Sequence, residues 1–180
     1  MNVRLIAGKY GGRTIEGSGT DRTHPMGERV RNALFNKLGD AIESAVVLDA
    51  FAGSGSIGLE ALSRGAKTAT FIEKDRVAQK IIENNIKLVG AQDDATLIRT
   101  GVSQYLTTAK QEYDIIFADP PYHDPQLSTA MRLIGLLKPN GLMVLSYPGK
   151  GEIPAELGVV VVDNRSYGNA NLVFYRKESV

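Results

Sequence analysis

The residues best suited to chemistry form one short run, Asp119-Pro120-Pro121-Tyr122, which directly follows the apolar segment Tyr113 to Ala118. Each proline fixes its own φ near about −65° and restricts the residue before it, so the Asp119 carboxylate and the Pro120 carbonyl are held as two acceptors. Acceptors on both N–H groups of an exocyclic amine free its lone pair for attack, and Tyr122 can stack on the ring. The run predicts group transfer to an amine on a flat base, with these four residues as the catalytic ones.

A glycine-rich motif lies upstream and could hold a nucleotide-like cofactor. Gly53, Gly55 and Gly58 satisfy G-x-G-x-x-G between a predicted strand and a predicted helix, where glycines let the backbone approach a ligand. Glu73 stands 20 residues after Gly53, at the end of the next predicted strand, where a carboxylate can accept from ribose hydroxyls. The alternative is that the glycines serve only the packing of a helix on a strand.

Asp49 bears on the kind of cofactor. It lies near the end of the predicted strand, four residues before Gly53, so a carboxylate faces the loop. A pyrophosphate there would be repelled, whereas a ligand with an amine or a sulfonium would be attracted. The motif therefore argues against a dinucleotide-dependent dehydrogenase.

These motifs need elements to position them, and the chain alternates predicted strands and helices. The predicted strands are Val46 to Phe51, Thr68 to Glu73, Ala95 to Thr100, Tyr113 to Ala118 and Leu142 to Tyr147, and the predicted helices are Ile57 to Ser63, Val77 to Val89 and Leu127 to Leu137. This order predicts an α/β fold with a Rossmann-like, doubly wound and mostly parallel sheet. The last runs, Val159 to Asp163 and Leu172 to Arg176, predict an antiparallel C-terminal hairpin. Both motifs then share the crevice at the carboxyl ends of the strands.

The first 40 residues are predicted to form an extension to a main domain at 41–180. Val3 to Ile6 and Arg13 to Ile15 predict a short β-hairpin, and helical spacing from Glu28 predicts a helix that ends at Gly39. Residues 1–37, called the basic arm, hold seven Lys or Arg against three acids, a balance of +4, so the rest carries −3 of the net +1. Such an arm is expected where one end of a protein contacts phosphates, and the alternative is a solvated leader.

Composition limits the classes further. At 180 residues the chain is long enough for one domain with a buried core. Cysteine is absent, which excludes disulfides and thiolate catalysis, and two histidines, His24 and His123, are too few for a His-based metal site, so no metal is predicted. His123 could line the substrate pocket. No apolar run of about 18 residues and no signal-peptide pattern is present, so we expect no membrane partner and a cytoplasmic location.

The segment Asp49 to Gly58 resembles motif I of class I S-adenosylmethionine-dependent methyltransferases. The resemblance implies that Asp49 and the Gly53–Gly55 loop hold the methionine end, that Glu73 holds the ribose, and that Lys74 and Val102 flank the adenine. No acid is present in residues 99–104 to read the adenine amine, so backbone groups would have to contact it. The implied cofactor-binding residues are Asp49, Phe51, Gly53, Ser54, Gly55, Ile57, Glu73, Lys74, Gly101, Val102 and Asp119.

Nearly the whole chain resembles the RsmD family, bacterial small-subunit (16S) rRNA (guanine-N2)-methyltransferases. The matching segments are Arg4 to Arg13, Glu28 to Asn36, Val47 to Glu60, Asp119 to Tyr122 and Ser166 to Asn169. One departure is His24-Pro25-Met26-Gly27, where the family usually has Arg-Pro-Thr before its helix. The resemblance implies methyl transfer from S-adenosylmethionine to the N2 amine of a guanine in 16S rRNA, within an assembling small subunit.

The resemblance also implies that the basic arm docks on rRNA phosphates. The implied RNA-binding residues are Arg4, Lys9, Arg13, Arg22, His24, Arg29 and Arg31. Arg29 and Arg31 lie two apart on a predicted helix and cannot share one face, so we expect one to contact RNA and the other to pair with an acid. We expect a monomer. The rival functions are a DNA adenine-N6 methyltransferase, for which the chain leaves no room for a target-recognition domain, and a non-catalytic S-adenosylmethionine-binding or RNA-binding protein.

Overall fold

A computed structural model describes residues 2–18, 26–148, 153–168 and 170–179. The strands of this part of the chain are β1 (Asn2–Arg4), β2 (Thr14–Glu16), β3 (Val46–Ala50), β4 (Thr68–Ile72), β5 (Ala95–Ile98), β6 (Tyr113–Ala118), β7 (Leu137–Tyr147), β8 (Val159–Tyr167) and β9 (Ala170–Lys177). The α-helices are α1 (Glu28–Leu38), α2 (Ser56–Ser63), α3 (Arg76–Val89), α4 (Val102–Thr108) and α5 (Leu127–Arg132). Two 3₁₀ turns, Gly39–Ile42 and Leu133–Leu136, follow α1 and α5.

Seven strands form one sheet in the order β5-β4-β3-β6-β7-β9-β8. The strands from β5 to β7 in this order are parallel, whereas β9 is antiparallel to both β7 and β8. The chain enters the sheet at β3, moves outward through β4 and β5, and then crosses back to β6. Ligands bind outside the carboxyl ends of the strands where the order reverses in this way. The predicted mostly parallel sheet with an antiparallel C-terminal hairpin is confirmed.

Successive residues of the central strands pack on opposite faces of the sheet. On β3, Val47 joins the core formed with α1, α2 and α3, and Leu48 joins the core on the other face with α4 and α5. Phe35 of α1 meets Phe117 of β6 with 5.6 Å between ring centroids. Helices therefore cover both faces, and the predicted doubly wound arrangement is confirmed.

Departures from the sequence predictions include helices α4 and α5 and strand β7. Helix α4 was not predicted. The predicted helix from Leu127 to Leu137 ends as an α-helix at Arg132 and continues as a 3₁₀ turn. Strand β7 begins at Leu137 instead of Leu142, because a register shift against β6 and a positive φ of 66° at Asn140 carry the strand through the Lys-Pro-Asn-Gly segment.

The N-terminal segment belongs to the same core as the rest of the chain. β1 pairs antiparallel with β2, so the predicted hairpin is confirmed. Val3, Leu5 and Ile15 are buried in one cluster with Leu34 of α1 and Val47 of β3. One continuous core joins residues 1–40 to residues 41–180. The division of the chain into these two parts stays a prediction.

Glu60 of α2 fastens the N-terminal segment to the sheet. Its carboxylate accepts from the backbone N–H groups of Ile6 and Ala7 at 2.8 and 3.1 Å and from Nε of Arg64 at 2.9 Å. The side chain is completely buried. A buried carboxylate needs such donors to offset its lost hydration.

Arg31 of α1 is the second charge in this buried contact. Its Nε lies 3.6 Å from Glu60 Oε1, and its terminal nitrogens donate to the carbonyls of Met26 and Arg4. The side chain is 1% exposed. The prediction that Arg31 contacts RNA is therefore wrong, because this arginine faces the core and pairs with an acid, whereas Arg29 is exposed.

Two more buried polar side chains tie the hairpin to the helices. The Ser63 hydroxyl at the end of α2 accepts from the N–H of Tyr10 at 2.9 Å. Asn85 of α3 accepts from the N–H of Glu16 and donates to the carbonyls of Glu16 and Ser54, all within 2.8 to 2.9 Å. Asn85 thus connects the hairpin directly to the glycine-rich loop.

Candidate active site

A cavity of about 890 Å³ opens at the carboxyl ends of β3, β4 and β6. Its size is within the range of small-molecule sites, about 300–1,000 Å³. The predicted site residues that line it are Phe51, Gly53, Ser54, Ile57, Glu73, Lys74, Gly101, Val102, Asp119, Pro120, Pro121 and Tyr122. The strand order therefore brings the Asp119 run and the glycine-rich loop to one cavity, as expected.

Glu73 is oriented by the two loops that flank it. One carboxylate oxygen accepts from the N–H of Gly53 at 2.8 Å, and the other accepts from the N–H of Asp75 at 2.9 Å. Each oxygen of an ionised carboxylate has a second lone pair, so both can still accept from hydroxyl groups of a ligand. Gly53 itself has a φ of 58° and no atom within 4 Å of the place where a side chain would lie. The backbone at Gly53 is therefore open to close approach.

Two predicted cofactor-binding residues lie outside the cavity lining. Asp49 is 1% exposed, and its carboxylate accepts from the N–H of Gly58 in the first turn of α2 at 2.9 Å. Gly55 has a φ of 83°, and a side chain there would meet Phe71 and Ile82. Direct contact of these two residues with a cofactor stays a prediction, and in this structure both support the loop from behind. Burial raises the pKa of Asp49, and the charges of Asp119 and Glu73 raise it further.

The Asp119 carboxyl is half-buried at the cavity wall. Burial raises the pKa of Asp119 to about 7, and a hydrogen-bonding interaction with the Ser146 hydroxyl opposes part of that rise. Tyr122 Oη lies 3.2 Å from Ser146 Oγ, and burial also raises the pKa of Tyr122. Asp119 can therefore change its protonation state near neutral pH, while Tyr122 is held at the cavity by its hydroxyl.

Ser146 is a site residue that the sequence did not single out. It lies near the end of β7, and the pairing of Leu145 with Ala118 places it beside Asp119. It is 3% exposed. The available signal was a hydroxyl in an otherwise apolar strand end, but only the sheet order shows which residue it faces.

The far end of the cavity is formed by the start of α4 and by Lys74. Gly101 precedes α4. A Cβ added at Gly101 would lie 3.9 Å from Cδ of Lys74, so the Gly101 backbone faces the Lys74 side chain. The first N–H groups of a helix have no partner within it, so those of Val102 and the next residues are available to other acceptors. Contact of Gly101 and Val102 with an adenine stays a prediction.

Three cations of the basic arm are already paired with acids. The pairs are Arg31 with Glu60, Arg4 with Glu28, and Lys37 with Asp163. Arg22 and His24 lie outside the described residues. The surface that the arm can offer to phosphates is therefore smaller than its composition suggests.

Lys9, Arg13 and Arg29 are exposed and form no ion pair within the described part of the chain. The N–H of Lys9 donates to the carbonyl of Ser63, the last residue of α2, and Arg13 donates to the carbonyl of Val89, the last residue of α3. Both helices begin at the cavity, so Lys9 and Arg13 lie at the opposite end of the sheet. Arg29 lies in the first turn of α1 instead.

The outcome for His123, for metal sites and for membrane spans can be stated for the described residues. His123 lines the cavity. Within the described ranges no group of three His, Asp or Glu side chains could hold a metal ion. No described helix is long and apolar enough to span a bilayer.

Comparison with known proteins gives the family. The family model described as "Conserved hypothetical protein 95" matches residues 3–176. Ribosomal RNA small subunit methyltransferase D of Haemophilus influenzae is 37% identical over 147 residues, which cover 78% of this chain and 76% of that protein. The chain belongs to the RsmD family. Its relative of the same name in Escherichia coli K12 is 39% identical over 77% of this chain and 68% of that protein.

Solved structures agree with this family. An Escherichia coli structure described as "Putative methyltransferase yhhF" matches the RsmD-family chain with a TM-score of 0.90 and 30% identity over all of both chains. An RNA methyltransferase from Salinibacter ruber, in complex with S-adenosyl-L-homocysteine, matches with a TM-score of 0.66 and 19% identity over 87% of this chain and 95% of that one. The second likeness concerns the fold alone. The predicted class I methyltransferase fold is confirmed.

Proposed function

We propose that this protein transfers the methyl group of S-adenosylmethionine to the exocyclic N2 amine of a guanine in 16S rRNA. The observation that carries the proposal is that the Asp119–Tyr122 run and the Gly53 loop line one cavity. Membership of the RsmD family supports the RNA substrate, because the Haemophilus influenzae relative is named as a methyltransferase of small-subunit ribosomal RNA.

The cavity residues fit S-adenosylmethionine, which would supply an electrophilic methyl group on a positively charged sulfur. The open backbone at Gly53 suits close approach of the methionine end, and the oriented oxygens of Glu73 suit the ribose hydroxyls. Lys74, Gly101 and Val102 then border the adenine. The carboxyls of Glu73 and Asp119 favour a cationic ligand over a pyrophosphate.

Asp119 would activate the amine. An ionised carboxylate is purely an acceptor, so Asp119 and the Pro120 carbonyl accept from the two N–H groups and free the nitrogen lone pair. Acceptors fixed in advance stabilise the positive charge that develops on the nitrogen. The methylated amine must then lose a proton, and the carboxylate of Asp119, whose pKa is about 7, can take it. Tyr122 stacks on the guanine, a contact worth about 1–3 kcal/mol.

The RNA would be bound at two separated places. Arg29 is near the cavity, because Met26, just before α1, lines it. Lys9 and Arg13 lie at the far ends of α2 and α3, and the 14 residues of α3 span roughly 21 Å. An RNA that contacts both places extends well beyond the target nucleotide, which favours a structured RNA over a free base. Phosphate contacts of this kind make the affinity depend on salt.

The test offers S-adenosylmethionine with a labelled methyl group and, in parallel, small ribosomal subunits, naked rRNA and duplex DNA. We expect label in rRNA, recovered as N2-methylguanosine after digestion. Asp119→Ala is expected to abolish transfer and to leave cofactor affinity within a few-fold. Label in DNA alone would favour the adenine-N6 alternative, and no label in any substrate would favour a binding protein. Equal loss of transfer and cofactor affinity would place Asp119 in the cofactor site.

We also propose that the enzyme acts as a monomer on assembling small subunits in the cytoplasm. The rRNA substrate supports this setting. Gel filtration of the free protein tests the monomeric state, and a comparison of label in naked rRNA, partly assembled particles and mature subunits tests the assembly stage. A dimer, or label in naked rRNA alone, would contradict them.

A further inference from the structure

Ser146 occupies a position that the chemistry above does not explain. Its side chain is buried at the end of β7, and its Oγ lies 3.2 Å from Tyr122 Oη. The pairing of Leu145 with Ala118 places Ser146 beside Asp119, on the neighbouring strand. One small side chain therefore lies next to both of the residues that would grip the substrate base.

Counting donors and acceptors limits the direction of these contacts. An ionised Asp119 can only accept, Ser146 carries a single proton, and either hydroxyl of the Tyr122–Ser146 pair can be the donor. If Ser146 donates to the carboxylate, its oxygen accepts from Tyr122, and a hydrogen-bond chain runs from Tyr122 through Ser146 to Asp119.

We propose that Ser146 is a positioning residue, which donates to the Asp119 carboxylate, accepts from the Tyr122 hydroxyl and so orients the two side chains together. The inference rests on the proposed function only for the identity of the substrate, whereas the contacts of Ser146 do not depend on that function. By using one lone pair of the carboxylate, Ser146 leaves the other oxygen directed to the substrate amine.

Other charged groups surround Asp119, and they stay constant in the test. Asp49 stands behind it on β3, Glu73 and Lys74 follow β4, and His123 and Asp124 follow in its own loop. A hydroxyl removed from Ser146 changes none of them. A difference between wild type and a Ser146 variant therefore reports the hydroxyl.

The first experiment needs no substrate. The full chain is labelled with ¹³C at aspartate carboxyls, the Asp119 signal is assigned by its absence in Asp119→Asn, and the signal is titrated in wild type, Ser146→Ala and Ser146→Thr. Loss of a hydrogen bond to a charged group is expected to move the Ser146→Ala midpoint upward by about one pH unit. Ser146→Thr keeps the hydroxyl and should stay near the wild-type midpoint. Equal midpoints in wild type and Ser146→Ala would overturn the proposal.

The second experiment measures single-turnover methyl transfer to rRNA across pH. With a midpoint about one pH unit higher, Ser146→Ala should be about five-fold slower than wild type at pH 7 and nearly equal at pH 9. A merely structural defect would lower the rate by the same factor at every pH and would contradict the positioning role. If wild type transfers no methyl group to any RNA, the proposed function fails, and the carboxyl titration still decides the role of Ser146.

Discussion

Replacing Glu60 by glutamine removes one charge from the buried contact between α2 and the N-terminal segment, while the size of the side chain is kept. The amide oxygen can still accept from one backbone N–H of residues 6 and 7. The guanidinium of Arg31, however, loses the carboxylate that lies 3.6 Å from its Nε. The variant therefore tests how much the free energy of unfolding falls when a buried charge loses its partner.

The magnitude follows from burial. The Arg31 side chain is only 1% exposed, so water cannot replace the lost partner. Burial already lowers the pKa of Arg31, and Glu60 is the main group that opposes this. Removing one partner of a buried pair costs about 3–5 kcal/mol. Each 1 kcal/mol lowers Tm by about 2–4 °C in a protein of this size, so Glu60→Gln should lower Tm by roughly 6–20 °C.

Thermal unfolding followed by circular dichroism measures this change in Glu60→Gln, in Arg31→Met and in the double variant. The double variant should lose less stability than the two single losses added together, because the buried Arg31 charge that Glu60→Gln leaves without a partner is absent from it. Arg64, whose side chain is 14% exposed, loses Glu60 equally in Glu60→Gln and in the double variant. Lys37→Met is the matched control, since it breaks the exposed pair with Asp163 and should leave Tm nearly unchanged. A Glu60→Gln midpoint within about 2 °C of wild type would refute the reasoning.

Methyl transfer should rise with pH and reach half its maximum near pH 7, because burial raises the pKa of Asp119 to about 7 and only the ionised carboxylate accepts from the amine; a flat single-turnover profile would contradict this. Gly8→Ala should strongly destabilise the protein, because the added Cβ would lie 1.8 Å from the Ser63 carbonyl oxygen. Gly12→Ala is its control in urea unfolding, since Gly12 has a similar φ of 85° but no atom within 4 Å. Glu73→Ala should weaken S-adenosylmethionine binding in calorimetry by about ten-fold or more through loss of charge-assisted hydrogen bonds, and unchanged affinity would remove Glu73 from the cofactor site.

The order of strands and helices could be predicted because each central strand is a short apolar run with clear ends. For β6 the predicted segment, Tyr113 to Ala118, has the observed bounds. Helix α4 has only seven residues, two of them threonines at its end, and gives little periodic signal. β7 extends through Pro139 because a local irregularity in pairing tolerates a residue that normally ends a strand.

The candidate site was also predictable only where its residues belong to one local motif. Motifs local in sequence, such as the Asp119 run and the Gly53 loop, predicted the position of the cavity and about half of the residues that line it. Contacts between distant segments could not be predicted. Spacing separated Arg29 from Arg31, yet only the position of Glu60 determines which arginine is buried. Ser146 likewise gained its neighbours from the sheet order.

The hydrogen bonds that hold the N-terminal hairpin against α2 and α3 have a consequence while the chain is being synthesised. Tyr10 and Ser63 are separated by 53 residues, and Glu16 and Asn85 by 69. At about 5–20 residues per second, these partners leave the ribosome roughly 3 to 14 s after the hairpin. During that interval the apolar side chains of Val3, Leu5 and Ile15 lack the part of their core that α2 and α3 supply. The hairpin segment must therefore wait for α3, and in the meantime it presents a hydrophobic surface on which a ribosome-associated chaperone can act.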